Sequence, residues 1–570
     1  MRKFGFLIFL LIIVFSIKQV SAQGGKAYIF PLKLPPLLSA TFGELRPGHF
    51  HAGIDIKTNG QTGYRIYAVA DGYVFRVKIQ RGGYGKALYI KHKDGNISVY
   101  GHLSRFAGDL EQYVKHQQYK KRSFYLDLFF SPGLFPVKQG DVVAYSGNTG
   151  GSMGPHLHFE IRRDEAHPVN PLSVGYHVAD TVKPVVTGLF AYALNDTSHV
   201  NQSSKRIQLN FKEISPGKYV AEALEAYGMI GLGVSAYDRQ SRTWNKNGLY
   251  AVDLSVNGLI VYETKMDEIN YATTRNINLL IDYPYYFHHR KYIQKLWRHP
   301  EAKLPVFTKL IDKGKIRVEN GKSYKILIRM SDYEGNMSVV ELSIIGKKMP
   351  ILEKAEKFQS AYYIMKNRPY RIHGEKTDMD FPAETFYDNR YLAFEEFPGG
   401  FFIGPEDIPL RKSFTAKFSL QEVPGHLKPY VYLGRINPRN GRLYFVTAKK
   451  RRDSLILHSG TPGRFQIAYD SIPPKIYDLN IRNGKWISHY RYLRFKVSDK
   501  QTGIAKVEAF IDGRWILTEY DYKTGKVFYD FDDLVFKGVK HNLLIRVWDQ
   551  AGNKAEKKLI FYRKFKSRAK

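Results

Sequence analysis

The sequence predicts a mostly β protein of several domains. The chain has 570 residues, and at roughly 150 residues per domain this length allows about four domains. It contains 41 Tyr and 36 Phe, which favour strands, whereas long Ala/Leu/Glu/Lys stretches typical of helices are scarce. Hydrophobic residues make up 44% of the chain, which is enough for several packed cores and argues against global disorder.

Residues 1–22 have the three-part pattern of a secretory signal peptide. A basic start precedes an apolar run over residues 4–17, and small residues then offer a cleavage site before Gln23. The apolar run is shorter than the roughly 20 residues of a membrane span, and an uncleaved anchor is the alternative. We therefore expect a periplasmic or extracellular protein.

The formal net charge of +34 predicts a polyanionic partner. Because export argues against nucleic acid, we expect an anionic wall polymer to bind the basic surface. The basic residues are scattered along the chain, so the alternative is that many of them simply solvate strand faces.

The chain contains no cysteine. This excludes disulfides, thiolate metal ligands and a cysteine nucleophile. Any metal must therefore be bound by His, Asp or Glu side chains.

Residues 23–175 are predicted to form the first β domain, built from short, glycine-rich strands. The turn Lys93-Asp94-Gly95-Asn96 predicts a hairpin between two strands, because Asp-Gly suits turns that need a positive φ. Residues of about 106–135 are charged and aromatic, and we expect a helical or irregular insertion there.

A repeated short-strand unit follows. Each copy opens at an Asp before proline, has an acidic residue after a later strand, and closes on Asp-x-x-Gly-Asn. The matched positions are Asp180 and Asp470, Asp238 and Asp499, and 332–336 and 549–553. This spacing predicts Ig-like β-sandwiches.

The repeat sets the expected division of the remaining chain. The first Ig-like module spans 180–350, with a partly helical insertion at about 268–312, and the last spans 470–570. Residues 351–469 are β-like but less regular, and we predict a third, sandwich-type module for them.

The stretch His156-Leu157-His158-Phe159-Glu160 reads as a strand. Side chains of a strand alternate between faces, so both histidines lie on the same side. Two neighbouring imidazoles repel each other when protonated and cost desolvation when buried, whereas a metal would use both in the neutral form. The alternative is a surface His pair.

His51-x-x-x-Asp55 could supply further ligands. Gly53 argues against a helix, so this spacing predicts a loop or a loop leading into a strand. Together with His158 it offers two imidazoles and one carboxylate, and catalytic zinc sites keep three such protein ligands with one position open.

Four motifs occur in a fixed order: His51-x-x-x-Asp55, Gly101-His102-Leu103, Gly147-Asn-Thr-Gly150 and the stretch from Gly154 to Glu160. Together they resemble the lysostaphin-type (LytM-like) zinc metallopeptidases. The resemblance covers roughly residues 40–172, about a quarter of the chain.

This resemblance implies a compact antiparallel β catalytic domain with a narrow groove. It implies that Zn²⁺ is bound by His51, Asp55 and His158, and that His102 and His156 are the catalytic histidines. His156 is a plausible general base, and either or both histidines could hydrogen-bond the attacking water and the tetrahedral intermediate.

Other residues near these motifs have weaker assignments. Glu160 shares a face with His156 and His158, and we favour a second-shell or structural role for it over that of a base. The glycine-rich loop 146–155 is interpreted as one wall of a peptide cleft, with Asn148 as its polar contact; a plain connecting loop is the alternative. For His49, His92, His167, His288 and His289 we expect surface or structural roles.

The predicted function is hydrolysis of peptide bonds in peptidoglycan by an exported metalloendopeptidase. One alternative is a non-catalytic wall-binding activator or regulator of other wall hydrolases on the same fold; the intact five-residue set argues against it. Another is an exported endopeptidase acting on proteins. The β modules after residue 180 are predicted to be binding, spacing or assembly units. Wall-associated proteins are their possible partners.

Overall fold

The protein is described by a computed structural model over residues 28–565. It is mostly β with many antiparallel sheets, which confirms the predicted fold class. The predicted signal peptide at 1–22 lies outside the described residues. Within 28–565, no helix combines the length and apolar character that a membrane crossing would need.

The first region holds fourteen strands and one helix among its described residues. They are β1 Leu38–Ala40, β2 Leu45–Arg46, β3 His49–Phe50, β4 Ile54–Lys57, β5 Arg65–Tyr67, β6 Gly72–Ile79, β7 Lys86–His92, β8 Ile97–Gly101, β9 Arg105–Phe106, α1 Gly108–Lys121, β10 Leu126–Phe129, β11 Pro136–Val137, β12 Val142–Tyr145, β13 His156–Arg162 and β14 Pro168–Val169. A 3-10 helix follows at Pro171–Val174.

A nine-stranded sheet forms the centre of this region, with the order β1-β4-β13-β8-β7-β6-β10; β11 pairs with β6, and β14 with β13. The predicted Asp94-Gly95 turn joins β7 to β8, and Gly95 has a φ of 89°. Tyr100, Phe106 and Phe159 are fully buried in the core. Strand β13 lies between β4 and β8, so the three strands that carry or adjoin the His and Asp motifs are neighbours.

The second region contains strands and three short helical segments. They are β15 Val185–Ala193, β16 His199–Val200, β17 Ile207–Leu209, β18 Phe211–Ser215, β19 Lys218–Ala221, β20 Leu224–Tyr237, β21 Ala251–Val256, β22 Leu259–Lys265, a 3-10 helix Thr274–Asn276, α2 Ile277–Leu280, α3 Tyr283–His289, β23 Gln294–Lys295, β24 Phe307–Leu310, β25 Ile316–Val318, β26 Ser323–Ser331 and β27 Met337–Gly346. A further 3-10 turn lies at Asp312–Gly314.

The long strand β20 organises the second region, because it pairs with β15 antiparallel and with β27 parallel. Side chains from both sets of strands form one core. Segment 266–306 contributes Leu296 to this core, and several of its other apolar side chains pack against residues 42–52 of the first region in a separate cluster.

The third and fourth regions each consist of two sheets. Their strands are β28 Tyr362–Ile364, β29 Tyr370–His373, β30 Thr377–Phe381, β31 Arg390–Phe397, β32 Gly400–Gly404, β33 Phe414–Ser419, β34 Val431–Ile436, β35 Leu443–Phe445, β36 Ala448–Arg451, β37 Ser454–Ser459, β38 Gly463–Tyr469, β39 Lys475–Asp478, β40 Lys485–Trp486, β41 Tyr492–Ser498, β42 Ile504–Ile511, β43 Arg514–Ile516, β44 Glu519–Asp521, β45 Lys526–Asp530, β46 Lys540–Asp549 and β47 Lys554–Tyr562. A 3-10 helix lies at Lys428–Tyr430.

Each of these two regions encloses its own apolar core between its sheets. The third has sheets of six and five strands, and the fourth has sheets of four and five. The domain boundaries given above stay predictions.

Candidate metal centre and catalytic residues

His51, Asp55 and His158 lie together in the first region. A ligand atom of each lies within 4.8 Å of the other two, and all three residues are buried. Asp55 Oδ1 is 3.1 Å from His51 Nε2 and 2.8 Å from His158 Nδ1, and the two ring nitrogens are 3.1 Å apart. Three donor atoms therefore converge on one point.

Strand register explains this convergence. His158 lies opposite Asp55 on the β13–β4 pair and opposite Gly101 on the β13–β8 pair. His51 follows the β2–β3 hairpin directly, and its backbone N–H donates to the Glu44 carbonyl. One strand pair and one tight hairpin thus position the whole cluster.

The outer nitrogen of each ring is held by a fixed acceptor. His51 Nδ1 lies 2.8 Å from the Thr41 carbonyl oxygen, so this nitrogen carries the proton. His158 Nε2 lies 2.8 Å from Glu160 Oε1 and donates to it. When both rings are neutral, as metal ligands are, the facing nitrogens present lone pairs, which cannot hydrogen-bond to each other. A shared cation would satisfy both, and this donor set of two imidazoles and one carboxylate fits zinc.

His102 and His156 lie beside this cluster, with their ring centroids 4.7 Å apart. Each donates from Nδ1 to a backbone carbonyl at 2.8 Å: His102 to Thr149 and His156 to Gly154. His156 Nε2 is buried without a hydrogen-bond partner and lies 3.5 Å from Asp55 Oδ1. Its free lone pair faces the cluster.

Glu160 is fully buried beneath the cluster and accepts from four side chains. Its Oε1 accepts from His158 and from the Tyr84 hydroxyl. Its Oε2 accepts from Arg162 Nε at 2.6 Å and from the Tyr271 hydroxyl at 3.1 Å. Its lone pairs are therefore occupied, which suits orientation of His158 and leaves little room for a role as base.

The charges of these groups depend on one another. Burial opposes charging of His158, but hydrogen bonds to Asp55 and Glu160 raise its pKa to about 9. Burial, with the neighbouring His158 and His156, lowers the pKa of His102 to about 3. His102 is therefore neutral over the whole physiological range, as a hydrogen-bond acceptor must be.

Four contributors to the site were not found from the sequence. Tyr84 donates its hydroxyl to Glu160 and stacks on the His158 ring. Arg46 lies 3.3 Å from Asp55 Oδ2, and it stands inside the stretch that carries the first motif. Arg162 follows Glu160 by two positions on the same strand face, so alternation could have identified it. Tyr271 comes from the second region, and no local pattern marks it.

The glycine-rich loop 146–155 packs against neighbouring backbone. A Cβ at Gly147 would meet Ser104 N at 2.4 Å, and one at Gly150 would meet Gly85 N at 2.3 Å. Both positions therefore require glycine.

Asn148 in this loop contacts the fourth region. Lys523 Nζ donates to the Asn148 carbonyl, to its Oδ1 at 3.3 Å and to the Ser152 carbonyl at 2.9 Å. The Tyr522 hydroxyl donates to the Gly150 carbonyl at 3.3 Å. The predicted cleft wall is thus also a docking surface within the chain.

The remaining histidines do not join the cluster. Their ring nitrogens lie near other groups: Pro47 O for His49, Ser98 Oγ for His92, Asp164 for His167 and Asp407 for His288, while the His289 ring packs on Tyr285.

A compact β domain with a buried His-Asp-His cluster and two adjacent histidines has the composition of a catalytic metal site. Residues 49–119 and 135–171 match the model of peptidase family M23, which confirms the resemblance of this domain to the lysostaphin-type peptidases. The unmatched residues 120–134 lie within the predicted insertion.

Two curated relatives and one solved structure are similar to about a quarter of the chain. The DD-carboxypeptidase/endopeptidase Mpg of Neisseria meningitidis serogroup B is 36% identical over 130 residues, covering 23% of this chain and 24% of that protein. The murein hydrolase activator NlpD of Escherichia coli is 36% identical over 132 residues, covering 23% of this chain and 27% of that protein.

The structural match is the catalytic domain of a mutant of the prophage-encoded M23 protein EnpA from Enterococcus faecalis. It is 29% identical, covers 26% of this chain and 98% of that chain, and has a TM-score of 0.20. The chain thus spans only about a quarter of the length of the curated relatives it matches. The chain carries an M23 peptidase domain, and its relatives include both a peptidase and an activator.

Proposed function

We propose that this protein is an exported, zinc-dependent endopeptidase that hydrolyses peptide bonds of peptidoglycan. The observation that carries the proposal is the convergence of His51, Asp55 and His158, with lone pairs facing one point, inside an M23 domain. The similarity to Mpg, a DD-carboxypeptidase/endopeptidase, supports a peptidase role.

In this proposal His51, Asp55 and His158 hold Zn²⁺. When bound, zinc supplies Lewis acidity, which polarises a carbonyl and lowers the pKa of water to about 7. The Thr41 carbonyl and Glu160 keep the two ligand rings oriented. Arg46 holds the second oxygen of Asp55, so that Oδ1 stays directed at the cluster.

His156 is the proposed general base. Its Nε2 is buried and unpaired, while its Nδ1–H is fixed by the Gly154 carbonyl, so it can accept a proton from the attacking water without turning. His102 is held in the same way by Thr149, which leaves its Nε2 as an acceptor that can hydrogen-bond the attacking water or share the base role.

The proposed substrate is an extended peptide of small residues. The glycine-rich loop 146–155 presents backbone groups at one side of the cluster, and Asn148 adds an amide. The net charge of +34 would hold the protein on an anionic wall.

The second candidate is an activator of other wall hydrolases, and the match to NlpD favours it. The presence of all five His and Asp residues in one cluster favours the enzyme. A digestion assay distinguishes the two functions. An activator by itself releases no fragments from peptidoglycan, but it stimulates a second hydrolase.

The experiment is digestion of purified peptidoglycan by the mature chain. We expect soluble muropeptides with newly freed amino groups, lost with a chelator, restored by Zn²⁺ and absent for His158→Ala. His49→Ala is the matched control, because His49 lies on the same hairpin, is exposed and directs its ring nitrogen at the Pro47 carbonyl instead of the cluster.

Intact peptidoglycan after incubation with folded, zinc-loaded protein would contradict the enzyme proposal. Stimulation of a separately added wall hydrolase in that same sample, equal for the parent and His158→Ala, would then support the activator.

A further inference from the structure

A second cluster of metal-ligating groups lies far from the histidines. Asp180, Asp238 and Asp332 each place a carboxylate oxygen within 4.8 Å of the other two. They come from separate segments: the connection before β15, the end of β20 and the end of β26. The fold therefore brings three acidic groups together at one edge of the second region.

The charge of this cluster is not balanced by the protein. Within residues 28–565, no Lys or Arg nitrogen forms a salt bridge with these three carboxylates. Asp238 is only 3% exposed, and its Oδ1 has no hydrogen-bond partner among the described residues. A buried, unpaired carboxylate costs several kcal/mol in effective desolvation.

Asn247 provides an independent indication of a missing ligand. It is 3% exposed, and both its side-chain oxygen and nitrogen lack partners. It lies directly opposite Asp238 on an isolated antiparallel bridge, which places the two side chains on the same side of the backbone. A buried amide without a partner thus stands beside a buried carboxylate without a partner.

The repeat copy contains an equivalent cluster of Asp470, Asp499 and Asp549. Its hydrogen bonds differ from those of the first cluster. Asp499 Oδ1 accepts from the backbone of 501, 502 and 503, and the Thr502 hydroxyl donates to Asp470 Oδ2. Asp549 accepts from Gly552 and Asn553. None of the three carboxylates has a buried oxygen without a partner. In the first cluster Asp180 and Asp332 accept comparable hydrogen bonds, from Val182, Ser241 and Asn336. The two clusters therefore differ at Asp238, whose Oδ1 has no partner among the described residues.

We propose that Asp180, Asp238 and Asp332, with the amide oxygen of Asn247, bind a hard divalent cation of the Ca²⁺ class. Carboxylate and amide oxygens are the ligands that Ca²⁺ prefers, and six to eight oxygens including water complete its shell. Without a cation, burial and the neighbouring carboxylates of Asp332 and Asp180 raise the pKa of Asp238 to about 7.

The site would strengthen the junction with the peptidase domain. Residues 238–248, between Asp238 and the end of this loop, contact the first region directly. The Gln240 side chain bonds Leu38 N at 2.7 Å and Pro36 O at 2.9 Å, and Gly248 N donates to Thr41 Oγ1 at 3.1 Å. The Thr41 carbonyl in turn holds His51. A bound cation would therefore fix a loop that supports the catalytic cluster.

The test is calorimetric titration of the zinc-saturated mature chain with Ca²⁺, beside unfolding curves with and without Ca²⁺. We expect one Ca²⁺ per chain, affinity at least tenfold weaker for Asp238→Asn, and unchanged binding for the matched variant Asp499→Asn. His158→Ala should bind Ca²⁺ like the parent, which separates this site from the histidine cluster and its proposed function.

The unfolding curves distinguish a cation site from a purely structural cluster. In Ca²⁺-free buffer Asp238→Asn should melt at the same temperature as the parent or higher, because it removes like-charge repulsion. With Ca²⁺ the parent should melt higher. Asn247→Leu, which keeps the size of the side chain, should weaken Ca²⁺ binding without lowering the Ca²⁺-free melting temperature.

Two results would overturn the proposal. One is the absence of saturable binding by the folded parent at millimolar Ca²⁺. The other is binding that Asp238→Asn and Asn247→Leu leave unchanged, or that Asp499→Asn removes.

Discussion

The two repeat copies contact the peptidase domain in different ways. The copy at 180–350 shares an apolar cluster with it, in which Phe42 and Phe50 pack against Met266, Ile277 and Leu280. The copy at 470–570 uses polar contacts: Lys115 with Asp533 at 2.7 Å, Lys86 with Glu519 at 2.8 Å, and Lys523 on the glycine-rich loop. Burial of apolar surface makes the first contact insensitive to salt, whereas salt screens the second.

The two repeat copies therefore have different structural roles toward the first region. The first copy supplies the Tyr271 hydroxyl, which donates to Glu160, and the Thr274 side-chain hydroxyl, which accepts from the backbone N–H of Phe50, so it completes the structure around His51 and His158. The fourth region touches only the outer wall of the site. We therefore expect salt to weaken the second contact more than the first.

The largest effect should come from the apolar contact. Ile277→Ala removes a fully buried side chain and should lower the free energy of unfolding by about 2–5 kcal/mol. Trp515→Ala, in the polar contact where the indole packs edge-on against Tyr119, should cost less. Chemical denaturation followed by fluorescence and circular dichroism measures the stability of both variants. An equal loss, or a larger loss for Trp515→Ala, would contradict the view that the apolar contact is the stronger one.

The second largest effect is expected from loss of the Tyr271 hydroxyl, which the first copy contributes to the site. Tyr271→Phe removes one donor to Glu160, which in turn orients His158, and should weaken zinc affinity by less than the roughly 10- to 100-fold that follows loss of a direct partner of a ligand. Competition with a chromophoric chelator measures the affinity. Tyr250→Phe is the control, because its hydroxyl bonds Asp267 in the same junction and not the site; equal losses in both variants would remove the special role of Tyr271.

A smaller effect is expected at the cleft wall. Lys523 occupies the carbonyls of Asn148 and Ser152, which an extended peptide would otherwise use. Lys523→Ala should therefore raise peptidase activity a few-fold, and moderate salt should have the same effect on the parent by screening the contact. Lys526→Ala, an exposed change nearby, should leave activity unchanged. A fall in activity for Lys523→Ala would show that the lysine assists substrate binding.

The smallest effect is predicted for the ion pair of the polar contact. Lys115 is about one third exposed and pairs with the nearly buried Asp533. Lys115→Met keeps the aliphatic stem but leaves Asp533 nearly buried without its ammonium partner. Because burial already raises the pKa of Asp533, a proton can neutralise this carboxyl, so we expect a cost below that of Ile277→Ala, and less at high salt. Thermal unfolding at two salt concentrations measures this cost. A loss as large as that of Ile277→Ala would mean that the fourth region is bound as firmly as the second.

Much of the site was predictable because its patterns are local. The alternation of His156, His158 and Glu160 on one strand follows from a period of two, and the structure places all three around one point as the alternation predicts. His51 and Asp55 stand four positions apart on a hairpin and the strand after it. The sequence also predicted that Lys93–Asn96 forms the turn between β7 and β8.

The remaining features depend on docking between distant segments. The Tyr271 hydroxyl reaches Glu160 from 111 positions away, and Lys523 reaches Asn148 from 375 positions away. No periodicity relates such residues, since their contact depends on the shapes of two separately folded surfaces.

The sequence by itself determined the β class, the M23 motifs and the repeat with its two sets of aspartates. Each of these follows from local spacing, which backbone geometry converts directly into a strand, a turn or a shared face. The tertiary structure was needed to show that, among the described residues, Asp238 and Asn247 have buried side-chain atoms without hydrogen-bond partners whereas Asp499 accepts three backbone hydrogen bonds. It was also needed to show which copy packs beside the cluster of His51, Asp55 and His158. These outcomes depend on burial and on packing between regions, which matching sequence positions do not specify.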